Sequence, residues 1–126
     1  MSTERLSKAQ QRFITNYKQM LDEVEAAVRY AGECYINNDH DIGDRLVRDI
    51  LKGLQPFNTQ NMTMLSIFSN DDIAMEVLRK FQDAVNKGIT IEETFPGERD
   101  KMYFVHETFV PLLQKWKQIV EHVYTE

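Results

Sequence analysis

Three histidines and one cysteine have the widest chemical range in this sequence, and their spacing decides what they can do. A carboxylate metal site inside a helical bundle needs Glu-x-x-His on two helices and an inward Glu on each of two others. None of His40, His106 and His122 has a Glu three residues before it. Glu107 follows His106 and Glu121 precedes His122, but adjacent helical residues diverge by about 100° and share one ion poorly. The triplet Asp39-His40-Asp41 could take a divalent cation, although an Asp opening a helical pattern more simply caps it. His106 falls beside Leu113 and Val120 on the edge of an apolar stripe, where a satisfied boundary histidine is the default reading.

Cys34 lies on an apolar stripe as well. It reads as a small buried hydrophobe with a raised thiol pKa and no local His to activate it. A single cysteine also excludes an intramolecular disulfide framework and any Cys-pair zinc site. The glycines at 32, 43, 53, 88 and 97 form neither G-x-G-x-x-G nor a Walker run, so no phosphate cradle is encoded. Asn61-Met62-Thr63 matches a glycosylation sequon, which means nothing without a secretory signal. The expectation is a non-enzymatic protein with no cofactor and no metal. An enzyme built from this chain would have to use His40, His106 or His122 with nearby carboxylates.

The elements that would carry these residues are helical. The chain has 126 residues, 42% of them hydrophobic, which fits one domain spanning 1–126 with a core of its own. Pro occurs only at 56, 96 and 111, leaving long stretches free to be helical. Phe13, Tyr17, Met20, Val24, Ala27, Ala31 and Cys34 alternate four and three residues apart. Ile14, Leu21, Val28 and Tyr35 form a flanking line, and together they make the wide stripe of a core-facing helix. Ser7 and Gln10 have capping-box spacing, so this helix is expected over about 8–37.

A second helix is expected over 40–69, bent or broken near Gly53-Pro56, burying Ile42, Leu46, Val47, Ile50, Leu51, Leu54 and Phe57. A third, over 71–87, buries Ile73, Ala74, Val77, Leu78, Phe81, Ala84 and Val85, with Gly88 as its stop. Residues 88–96 read as an extended connector. The last helix, 97–124, repeats the signature of the first through Met102, Val105, Phe109, Leu112, Trp116, Ile119 and Val123. Pro111 sits off that stripe and should curve the helix around the core. The fold class is all-α, an up-down-up-down four-helix bundle.

Fifteen basic against twenty acidic residues give a net charge of −5, and no segment of the chain is net basic. That balance argues against a nucleic-acid partner, which needs a basic face to release phosphate counterions. No apolar run approaches a membrane span, and MSTERLSKAQ has no signal-peptide core, so the expected setting is the cytoplasm. The acidic group Glu92, Glu93, Glu98 and Asp100 is a second candidate, as a docking site for a basic peptide. Its simpler reading is loop charge beside a helix N-terminus.

One segment departs from ordinary bundle patterning. Met62, Met64, Leu65, Ile67 and Phe68 point around nearly the whole circumference of a helix, more than one core face should absorb. Adaptable Met side chains suit a contact surface, so these five residues are the candidate site for a partner helix or for a second copy closing a two-fold dimer. The alternative is a locally irregular segment buried beneath the connector.

The passage AAVRYAGECYINNDHDIGDRLVRDILKGLQPF, with its A-x-x-Y and D-x-x-x-G spacing, resembles the helical hairpins of flagellar-type export chaperones and of small uncharacterised helical proteins near them. It is also similar to one tetratricopeptide hairpin, with no second copy following. The resemblance covers about a quarter of the chain and no signature residue transfers. It implies a small acidic bundle holding a partner's amphipathic helix in an apolar groove, without chemistry.

Overall fold

The structure, a computed structural model, describes residues 6–125, with side chains through Val123. Residues 1–5 and 126, which the expected domain and the N-terminal leader reading include, lie outside the described residues. Helix α1 (Lys8–Ile36) begins where the capping box places it. The Ser7 hydroxyl accepts from the Gln10 N–H at 3.1 Å, and Gln10 Oε1 accepts from the Ser7 N–H at 2.8 Å. It ends at Asn37-Asn38, where Asn38 takes a φ of 67°, a left-handed conformation that Asn tolerates better than most residues. The Asp39 N–H then donates to the Cys34 carbonyl at 2.7 Å, closing a tight turn. Helix α2 (His40–Lys52) follows at once, but the Asp39 side chain makes no capping hydrogen bond.

The expected 40–69 helix is broken. Turns follow α2, and a separate α3 (Met62–Phe68) starts from its own cap, with Asn61 Oδ1 accepting from the Met64 N–H at 2.9 Å. Helix α4 (Asp72–Ile89), capped by Asp71, runs through Gly88 instead of stopping there. A Cβ on Gly88 would stand 2.2 Å from Leu51 Cδ1, so this glycine serves a close helix–helix approach. The 88–96 stretch is not extended. It holds a one-turn helix α5 (Ile91–Thr94), anchored by buried Ile91 and by a 2.8 Å contact between the Thr90 and Thr94 hydroxyls.

The last helix is continuous but changes its winding. Helix α6 (Glu98–Tyr103) passes into a π-helical stretch over Phe104–Phe109 and then into α7 (Val110–Thr125). The Val110 N–H donates five residues back, to the Val105 carbonyl. In regular winding the Pro111 ring would meet the Glu107 carbonyl, and the widened turn just before it opens that contact. Pro111 faces solvent, as its place off the stripe implies.

The chain is all-α. Helix α1 packs on α2 and α7, and α4 packs on the same two, which is the ring of neighbours a bundle requires. The extra π-turn residue lets Phe104, Val105 and Phe109 all enter the core above Leu113, Trp116 and Val120. On α1 the buried face centres on Ile14, Leu21, Val28 and Tyr35 together with Tyr17, Val24 and Ala31, while Phe13, Met20 and Ala27 sit at its shoulder. Ile73, expected inside, is 72% exposed. Among the described residues no helix is long and apolar enough to cross a membrane.

Candidate functional site

The histidines are scattered. His40 opens α2 with its ring tilted 46° to the Tyr35 ring at a 6.0 Å centroid distance, and its Nε2 lies 3.6 Å from Glu98 Oε2. His106, on the π-helical stretch, lays its ring edge against Gly32 of α1. His122 is exposed on α7. Among the described residues no three His, Cys, Asp or Glu side chains are placed to hold a metal ion. Cys34 is a buried free thiol, and burial followed by the nearby Asp39 charge pushes its pKa up.

The five residues of the candidate contact surface do not share an exposed face, and this corrects the expectation. Met64 and Phe68 are fully buried, with Phe68 packed 5.0 Å from the Trp116 ring. Leu65 and Ile67 are half-buried, and only Met62, at 82% exposed, stands clear of the core. The acidic group is partly committed to the fold too. Glu92 accepts from Arg48 Nη1 at 3.1 Å, and Glu98 faces His40.

A feature that periodicity did not reveal lies between α1, α2 and α6. Asp44 is buried on α2; its Oδ1 accepts from the Tyr35 hydroxyl at 2.8 Å and its Oδ2 from Lys101 Nζ at 2.9 Å. Lys101 Nζ also lies 5.9 Å from the Tyr35 ring centroid. Gly43 makes room for that ring, since a Cβ there would stand 2.7 Å from Tyr35 Cε1. The group is a closed circuit of one cation, one anion and one hydroxyl. A signal for it exists in the sequence: Asp44 falls in line with Val47, Leu51 and Leu54, and Lys101 in line with Val105 and Phe109. Each charge sits on a core stripe of opposite helices, and only a tertiary partner makes that tolerable.

A second buried hydrogen bond runs from Trp116 Nε1 to the Tyr17 hydroxyl at 2.9 Å. Burial pushes the Tyr17 phenol far above its ordinary range, against the opposing effect of the Trp116 bond. Burial, then the bond to Asp44 and its charge, do the same for Tyr35. Because folding raises both pKa values, their contribution to stability is complete below the ordinary phenol value of 10.0 and is lost as pH climbs beyond it. Two of the five tyrosines are therefore expected to ionise only as the chain unfolds. Phenolate absorbance and helical circular dichroism, followed together through alkaline pH, check this. Full tyrosine ionisation with helicity intact would contradict it.

Among the described residues, an open apolar groove of about 420 Å³ lies between α1 and α2. Ala27, Ile42, Leu46 and Ile50 line it, and Arg45 and Asp49 form its rim. Of the expected α2 ridge, Val47, Leu51 and Leu54 are buried, Leu46 and Ile50 are partly buried against the core, and Ile42 is 48% exposed.

A family model described as a domain of unknown function (DUF8042) matches residues 12–119. The chain belongs to the DUF8042 family. No curated protein and no solved structure matches it. The DUF8042 match takes in Tyr35, Asp44 and Lys101 as well as all the groove residues, so both features lie within the family's domain.

Proposed function

We propose that the chain is a non-catalytic protein-interaction module that works through the α1–α2 groove. The supporting observation is how polar and apolar groups are distributed. The buried charges Asp44 and Lys101 are engaged with each other and with Tyr35 inside the fold. The groove between α1 and α2 is lined by apolar side chains, Ile42, Leu46 and Ile50 beside Ala27. The resemblance of residues 26–57 to chaperone hairpins points the same way, since α1 and α2 are the two helices of that passage. The acidic balance favours protein over nucleic acid as the partner. The single unpaired thiol of Cys34 suits a reducing, cytoplasmic setting.

The test is affinity capture from cells with wild type and Ile42→Asp, bound proteins being identified by mass spectrometry. Ile42 is exposed enough for Ile42→Asp to keep wild-type helicity and melting. The variant is expected to lose the proteins that wild type retains. An unchanged set of bound proteins overturns the groove as the working surface.

A further inference from the structure

We infer that the groove's occupant is a second copy of this chain, docked antiparallel along α2 about a two-fold axis near Leu46; this rests on the interaction reading above. The outer stripe of α2 runs Ile42, Arg45, Leu46, Asp49, Ile50, so an apolar ridge carries opposite charges four residues apart on one flank. When two such helices meet antiparallel, each flank faces the same flank of its mate, read in reverse. Leu46 then meets Leu46 of the second copy, and Ile42 meets Ile50 of the second copy. Arg45 comes beside Asp49 of the second copy and Asp49 beside its Arg45, giving two equivalent ion pairs from one sequence feature. A parallel arrangement would set this flank against the opposite flank of the mate and form neither ion pair.

Both rim groups are available for this. The ion pairs formed among the described residues leave Arg45 out. Asp49 uses only Oδ1, which accepts from Arg48 Nε at 3.3 Å, and its side chain is 68% exposed. The groove is open and shallow, shaped for a ridge of side chains and not for an enclosed small ligand. Four apolar lining side chains make a small contact, so the association is weak and concentration-dependent.

Charge swapping isolates the proposal. Arg45→Glu alone and Asp49→Lys alone each set like charges across the axis twice, and each is expected to weaken dimerisation roughly tenfold. An equimolar mixture of the two variants recreates both cross-pairs in the heterodimer, as does the double variant in its homodimer, so both are expected to recover wild-type association. The mixture leaves the pairing of residues 45 and 49 within each helix unchanged, so its recovery reports only on the contact between copies. Analytical ultracentrifugation of the purified proteins over a concentration series gives the readout, with melting curves to verify folding.

A wild type that stays monomeric at every concentration overturns the second copy as occupant. So does a dimer that the single variants leave unchanged, or one that the mixture fails to restore. In those cases, loss of captured proteins by Ile42→Asp keeps the interaction reading alive with a different occupant. If Ile42→Asp changes neither capture nor association, both readings fall.

Discussion

Asp44→Ala is expected to destabilise the domain by about 3–5 kcal/mol, the usual cost of leaving one half of a buried ion pair without its partner. Lys101 Nζ would keep its place between α2 and α6 with no anion to meet it, and the Tyr35 hydroxyl would lose its acceptor. Lys101→Met should cost a similar amount, because the Asp44 carboxylate then has only the phenol as donor. Against a total stability on the order of 5–15 kcal/mol, either loss is a large share. The pair's own net worth is a separate matter. Two charges taken out of water give back in mutual attraction about what they cost, so replacing all three polar groups should recover much of the loss. The variant Tyr35→Phe/Asp44→Val/Lys101→Met is therefore expected to be more stable than either single variant. Urea unfolding with an unchanged m-value measures this. Single-variant losses below about 1 kcal/mol would mean that water reaches the carboxylate and that the circuit does not pin α6 to α1 and α2. Hydrogen exchange adds a local readout: in Lys101→Met, amides over residues 98–109 should exchange faster relative to those of α4.

That circuit marks the boundary of what the sequence makes legible. Local signals performed well. The Ser7–Gln10 box marks the start of α1. Pro111 was readable as a position inside one helix because its neighbours kept the apolar stripe on the other side. What local period cannot supply is the partner of a given face. On α1 the stripe and its flanking line are equally apolar, and only packing against both α2 and α7 moves the centre of burial to Ile14, Leu21, Val28 and Tyr35. The π-helical turn is invisible to a regular helical count, and Phe104 is buried because of it. Gly88 illustrates the same limit: a glycine after Lys87 reads as a stop, and the nearness of Leu51 gives it a different use. Asp44 and Lys101 are 57 positions apart and explain each other only once three helices have met.

Phe68→Ala is expected to cost about 3–5 kcal/mol, while Met62→Asp, six residues earlier in the same short helix, should change stability by less than about 0.5 kcal/mol. The contrast follows from how α3 is built. Asn61 caps it independently of α2, so its direction is not inherited from the helix before the break. Met64 and Phe68, four residues apart, then form one inward line, Leu65 and Ile67 flank it, and Met62 falls on the opposite side. The apparent surplus of apolar residues is thus absorbed as two core side chains, two at the shoulder and one in solvent. Phe68 also packs against Trp116, the chain's single tryptophan, so its removal has an optical signature. Trp116 emission should shift in Phe68→Ala at temperatures where circular dichroism still reports folded helix, because the ring facing the indole is gone. Phe68→Asp goes further and should unfold the domain, since a carboxylate there has no partner to offset burial. If Phe68→Asp instead left melting unchanged, α3 would be a surface element and its apolar residues a contact patch after all. A Met62→Asp variant that melted like Phe68→Ala would show that the inward line had been assigned to the wrong side of the helix.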